Sequence, residues 1–374
     1  MASQHTHLHS RATLRVISAC VGFGLLWLSA QAQTAISAWN LNYGVPDTTS
    51  DPGAPAGYTF NNDVIALNSF TAGTTKTTAL VATSSFVRRS GTGGSANVWL
   101  MENNGTQSTT LRPSYSNNLN DYLLDNNVLK GANDIFTNSG GSPTSVNSNV
   151  ERIDFYFAGG FTGTSDMGFA VFERGTAGAF DGFKIAVFTG VDGAGDRDLA
   201  NAGTPTDYSG RVITITNANY SSAPLAANYD GVGGNASTET TFNATFLRYI
   251  DGNGDNLTGN INTTVQGTTD QQIRGVFISL ADLNINSSTV IYGYSIMAPD
   301  VNVTNATIDN LVNWANTSVY LTNTADTSSG SIDPLAVGGR VYVPEPSTYG
   351  AMFLGVGSAL LGLRRWRKTR QAAA

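Results

Sequence analysis

Apolar and polar residues alternate along much of the chain between residues 33 and 343. In "VERIDFYF" at 150–157, Ile153, Phe155 and Phe157 fall on one side and Arg152, Asp154 and Tyr156 on the other. A period of two sets one face against a core and predicts a β-strand. "FKIAVFTG" at 183–190 sets Phe183, Ile185 and Val187 against Lys184, Ala186 and Phe188. Similar β-branched and aromatic runs sit at 168–175, 211–217, 241–250, 273–280 and 289–296, with earlier ones at 35–41, 79–87 and 97–101. Gly, Asn, Asp and Ser clusters bound nearly every run, as turn residues bound strands. Many short strands so punctuated predict an all-β fold, a β-sandwich or a jelly-roll-like body.

One stretch keeps a different period. Across 118–138, Leu119, Tyr122, Leu123, Asp125 and Asn126 recur at roughly helical spacing. They predict one or two helical turns over a sandwich edge. "TNTADTSSGSIDPLAVGG" at 322–339 predicts a loop that runs to a last short strand or straight into the tail. No repeat of fixed period stands out, which argues against a solenoid.

Composition agrees with the pattern. The body is rich in Thr, Asn, Ser and Gly and poor in Lys and Glu, which disfavours helix and favours strands joined by polar turns. Of the 27 acidic residues, 26 lie between residues 33 and 343; of the 20 basic residues, two precede the body and five follow it, leaving 13. A body with about 13 net negative charges repels nucleic acid and anionic membrane surfaces.

The first 32 residues read differently. Arg11 and Arg15 are their only charges, an apolar run "VISACVGFGLLWLSA" fills 16–30, and Ala30-Gln31-Ala32 follows. This is the layout of a secretory signal peptide, with cleavage expected after Ala32. Ile17-Ser18-Ala19-Cys20 looks like a lipobox, but a cut there leaves most of the apolar run on the mature chain. An uncleaved membrane anchor is the alternative. Cleavage removes the one cysteine, Cys20, and all three histidines, His5, His7 and His9. The exported chain then has no disulfide, thiolate nucleophile, His base, Ser-His-Asp triad or ordinary zinc site.

What remains for chemistry is sparse. The body holds four glutamates, Glu102, Glu151, Glu173 and Glu239. Glu151 and Glu173 lie in or beside predicted strands, each followed by an arginine. They read either as a carboxylate pair of the glycosidase kind or as two solvent-side residues with cross-strand ion partners. Two Asp-rich turns are candidate calcium loops: Asp192, Asp196 and Asp198 in "DGAGDRD", and Asp251, Asn253 and Asp255 in "DGNGDN". Ca²⁺ takes six to eight oxygens, but neither turn has the closing Glu of an EF-hand, and Asp, Asn and Gly also make plain tight turns. Trp39, Trp99, Tyr115 and Trp314 read as core or as a sugar-stacking platform. Asn-x-Ser/Thr triplets such as those at Asn235 and Asn243 carry little weight in a chain this rich in Asn and Thr.

The end of the chain is "VPEPSTYGAMFLGVGSALLGLRRWRK" at 343–368. The run 348–363 spans about 24 Å as a helix, short of the roughly 30 Å hydrocarbon core. Tyr349, Trp366 and snorkelling arginines cover the mismatch. Arg364, Arg365, Arg367, Lys368 and Arg370 follow, and the positive-inside rule puts them in the cytoplasm with the body outside. Pro344 and Pro346 stiffen the junction.

Pro344-Glu345-Pro346, then an apolar helix, then an Arg-rich end, paired with an N-terminal signal peptide, resembles a PEP-CTERM sorting signal. The resemblance implies an exosortase as partner, which would recognise Pro344, Glu345 and Pro346 and process the chain near them. It implies a Gram-negative host that makes exopolysaccharide. It also implies passage through the inner membrane to the cell surface, outer membrane or biofilm matrix. It covers less than a tenth of the chain.

The expected organisation is a signal peptide at 1–32, an exported β-rich domain at 33–342 and a sorting signal at 343–370. The expected function is a non-enzymatic surface protein with a structural or adhesive role, needing no cofactor. The alternatives are a module that binds carbohydrate or Ca²⁺, and a surface glycoside hydrolase or lyase using paired carboxylates.

Overall fold

The computed structural model describes residues 33–44, 63–89, 94–101, 113–116, 118–136, 150–192, 204–227, 239–251, 260–321 and 331–345. The expected signal peptide, with Ala30 and Ala32, lies outside them, as does the chain beyond Glu345. The described chain is mostly strand. In order the strands are β1 Thr34–Ala35, β2 Ala38–Tyr43, β3 Ile65–Ala72, β4 Thr74–Val81, β5 Ser84–Arg89, β6 Gly94–Leu100, β7 Asn127–Asn133 and β8 Val150–Phe161. There follow β9 Gly168–Thr176, β10 Phe183–Val191, β11 Pro205–Ile215, β12 Phe242–Asp251, β13 Asn260–Ser279, β14 Ile291–Met297, β15 Leu335–Ala336 and β16 Arg340–Pro344. Short 3-10 segments at Leu119–Tyr122, Asn217–Asn219 and Asn305–Val312 complete the regular structure.

Two sheets form. The larger runs β15-β7-β6-β12-β13-β9-β16-β4-β3-β2, with β1 beside β13, and the smaller runs β11-β10-β14-β8-β5. The named pairings are antiparallel.

The larger sheet curls until it meets itself. β3 pairs with β7 at Ala66 and Asn127, which joins β7, β6, β12, β13, β9, β16, β4 and β3 into a ring. Asn127 makes this seam with its side chain. Its Oδ1 accepts from the amides of Ile65 at 3.3 Å and Leu129 at 3.1 Å, and its Nδ2 donates to the Asp63 carbonyl at 3.0 Å. Asn126 takes a left-handed turn at φ 61° and donates its Nδ2 to the Leu67 carbonyl at 3.4 Å. Side-chain amides thus supply hydrogen bonds where the ladder has a single backbone pair.

Closure creates two cores from alternate residues of the same strands. Phe70, Trp99, Phe172, Ile273, Phe277 and Tyr342 pack in the inner core. Their neighbours Val98, Leu100, Val171, Val276, Ile278 and Val341 pack against the smaller sheet. Phe70 sits among aromatic rings inside, with centroids 5.6 Å from Phe172, 5.9 Å from Phe277 and 4.7 Å from Tyr342. Tyr294 of the smaller sheet meets Phe169 of the larger at 4.2 Å. A large body without a disulfide is stable when it buries this much apolar surface.

Register fixes where the ends lie. Thr34 faces Phe277, Gly168 faces Ser279, and Tyr342 faces Gly168. Gln33 and Pro344 therefore leave at the Ser279 end of β13, three strand spacings apart, about 14 Å. At the other end, residues 260–270 of β13 run past the last residue of β9 beside β12 and β6. They extend the sheet by roughly 35 Å.

Several expectations change. The run at 79–87 is two strands, β4 and β5, because the chain passes from one sheet to the other at Ala82 and Thr83. Their amides donate to the carbonyls of Gly339 at 2.6 Å and Tyr156 at 2.7 Å. The helical stretch at 118–138 is helical only at Leu119–Tyr122; the left-handed Asn126 stops the turn and β7 follows. The expected loop at 331–339 is buried, with Ser331, Ile332 and Ala336 fully covered. Asn127→Leu should strip partners from two buried amides and a carbonyl. We expect it to lower the unfolding free energy by about 2–4 kcal/mol, read by urea titration; an unchanged midpoint contradicts the seam's role.

Candidate functional site

The expected carboxylate pair does not line an open cleft. Glu151 lies on β8 of the smaller sheet and Glu173 on β9 of the larger, and both are fully buried, not solvent-side. Glu173 Oε1 accepts from the Asp181 amide at 2.6 Å. Burial and the adjacent Asp181 push its pKa well up. Glu239 is half-buried in an isolated bridge to Ala227, and Glu102 lies outside the described residues.

Two charge clusters are buried on β8 and β9, and the alternation of those strands does not announce them. The first is on the face of β8 opposite Ile153, Phe155 and Phe157. Asp154 Oδ1 is 2.8 Å from Arg152 Nε and Oδ2 is 3.3 Å from Arg88 Nε. Ser295 Oγ donates to Asp154 at 2.6 Å, and Tyr208 and Ser295 hydroxyls share a hydrogen bond of 2.8 Å. Burial alone would raise the Asp154 pKa; the two guanidiniums outweigh it and hold the carboxyl below the usual range. The Arg152 guanidinium lies 5.5 Å from the rings of Trp314 and Tyr320 and 5.8 Å from Tyr208, and donates to the Leu311 carbonyl at 2.7 Å. The cover comes from 301–320, where Val301, Val303, Ile308, Leu311, Trp314 and Tyr320 pack on the core. That apolar series was the available signal.

The second cluster surrounds Arg174. Its guanidinium bonds Asp333, Asn133 and Gln271 and lies 5.5 Å from the Trp99 ring. Asp333 Oδ1 accepts from the Asp134 amide at 2.5 Å, and Asp134 Oδ2 accepts from Asn133 Nδ2 at 2.7 Å. Burial and the facing Asp333 push the Asp134 pKa up to about 9 against the pull of Arg174. Burial also raises Asp333. This cluster ties the segment before β16 to β7 and β9, with Ala132 donating to the Pro334 carbonyl and Arg174 to the Asp333 carbonyl, both at 3.0 Å.

Two of the calcium candidates are described, and they lie beside strands of different sheets. Asp192 follows the end of β10 and is half-buried, and its amide donates to the Thr204 carbonyl at 2.8 Å. Asp251 ends β12, opposite Gly94. Asp196, Asp198, Asn253 and Asp255 lie outside the described residues. Among the described residues no three His, Cys, Asp or Glu side chains are placed to hold a metal ion.

The aromatic candidates are dispersed rather than gathered into a platform. Trp99 is fully buried in the inner core, Trp39 stacks on Phe172 at 6.0 Å, and Tyr115 and Trp314 pack against the outer core. A void lined by Leu123, Phe155, Phe172, Tyr294, Ile296 and Leu335 is apolar and has room for little more than a water molecule.

The expected sorting motif begins at the end of β16. Pro344 is the last residue of β16, opposite Lys76, and Glu345 follows it, exposed. Pro346, Arg364, Arg365, Arg367 and the expected helix at 348–363 lie outside the described residues. No helix among the described residues is long and apolar enough to cross a membrane. A scan against protein-family models finds no match, and comparison with curated proteins and with solved structures finds none.

The raised carboxyls make a signed prediction. Folded Asp134 holds a proton, up to about pH 9, that an unfolded carboxyl releases near pH 4, and burial shifts Asp333 and Glu173 in the same direction. The stabilisation from such an upward shift is full below the unfolded value and is lost as pH rises, for Asp134 towards about 9. The melting temperature should fall between pH 5 and 9, and Asp134→Asn should flatten the slope. A melting temperature that rises over this range contradicts the assignment.

Proposed function

We propose that this chain is an exported surface protein whose β-sandwich body is delivered by a C-terminal sorting tail and then acts structurally or adhesively. The observation that carries the reading is the Pro344-Glu345-Pro346 motif, which begins at the last residue of β16, followed in sequence by an apolar run and an Arg-rich end. The partner is a membrane-bound processing enzyme of the exosortase kind, and the surroundings are the exopolysaccharide of the cell surface or matrix. Three further features support it. The acidic body stays soluble and repels anionic surfaces. Gln33 and Pro344 leave from one pole, so a membrane-held chain would turn the β12–β13 extension outward. Glu151 and Glu173, the carboxylates best placed by sequence for hydrolysis, are spent inside the sheets.

Replacing Pro344, Glu345 and Pro346 together by alanine should leave full-length protein in the inner membrane of the native host. Cell fractionation with an antibody to the body reads this directly. Surface display at the parental level after the change contradicts the proposal.

A further inference from the structure

Two of the three motif residues belong to the folded body. β16 lies inside the larger sheet, with β4 on one side and β9 on the other. Its register against β4 runs from Arg340 opposite Val81 to Pro344 opposite Lys76. The bonding continues one residue past the strand, because the Glu345 amide donates to the Thr75 carbonyl at 3.0 Å. Proline at the last position has no amide to offer, so it ends the strand without leaving a donor unpaired.

Side chains hold the strand as firmly as its ladder. Tyr342 is fully buried beside Phe70 in the inner core, and Val341 is fully buried in the outer one. Gly339, at φ 65°, precedes the strand, and its amide donates to the Tyr294 hydroxyl at 2.8 Å. A Cβ there would come within 2.3 Å of the Leu124 side chain. Arg340 Nη2 donates to the Leu124 carbonyl at 3.3 Å.

Enzymes that cut peptide bonds take their substrates as extended chain, through the same backbone groups that a sheet uses. β16 has committed those groups to β4 and β9. Exposing them requires local unfolding of a strand anchored in both cores, an opening near the global end of the stability range.

We propose that the body shields the root of its own tail: β16 withholds every peptide bond up to Glu345, so the tail is cut beyond Glu345 and the mature body keeps its last strand. The identity of the host enzyme rests on the sorting reading above; the shield does not. A recognising enzyme would meet Glu345 exposed and Pro344 half-buried against β4.

The test uses the purified full chain in detergent, a low dose of proteinase K, and intact mass of the resistant core. The core's C-terminus is expected at Glu345 or beyond it. A core that ends before Tyr342 yet keeps the melting temperature of the parent overturns the proposal. A tail never cut in the host would overturn the sorting reading instead, since proteinase K reports on the strand without any host enzyme.

Discussion

Asn127 sits where an open sheet becomes a ring. Its amide bonds both strands of the seam, Ile65 and Asp63 on one side and Leu129 on its own. Without the seam, the first residues of β3 and β7 would lack a partner on one side, and the sheet would stay open. With it, central strands such as β9, β13 and β16 are buried on both faces. Their alternation sorts residues between two cores rather than between core and water. The aromatic set around Phe70 exists only because the sheet closes around it.

The buried charges follow from the same economy of surface. The face of β8 that carries Arg152 and Asp154 is roofed by 301–320, and the end of β9 that carries Glu173 and Arg174 is crossed by 331–337. A charge taken out of water needs a partner and hydrogen bonds. Asp154 has two guanidiniums and a serine and stays ionised. Glu173 has an amide and another acid beside it, and its pKa is pushed up. Two acids, one in each sheet, are thus shifted in opposite directions by their surroundings, and both arrangements fasten covering segments to the sheets.

Much of the strand content was legible. β8, β9, β10, β12 and β14 lie close to the runs read from alternation, because β-branched and aromatic residues mark them plainly. The first half of β13 was not legible, since "NINTTVQGTTD" carries almost no apolar alternation. β7 was misread because Leu119, Tyr122 and Leu123 suggest a helical face that the left-handed Asn126 ends. The burial of Glu151 and Glu173 was invisible for a different reason: strand alternation reveals which residues share a face, but not which distant segment covers it. The tail motif was legible as a string, whereas its anchoring was not, since a proline pair reads as a break and Pro344 is instead the end of an interior strand.

These features describe an acidic, twice-cored body whose two ends emerge at one pole and whose tail begins at a strand of the ring. The most direct test of that account is the intact mass of the protein recovered from the surface or medium of its host. A chain that begins at Gln33 and ends at or beyond Glu345 but lacks the Arg-rich end is the predicted result. A chain that still carries Arg364, Arg365 and Arg367 would contradict it and would make the tail a plain membrane anchor.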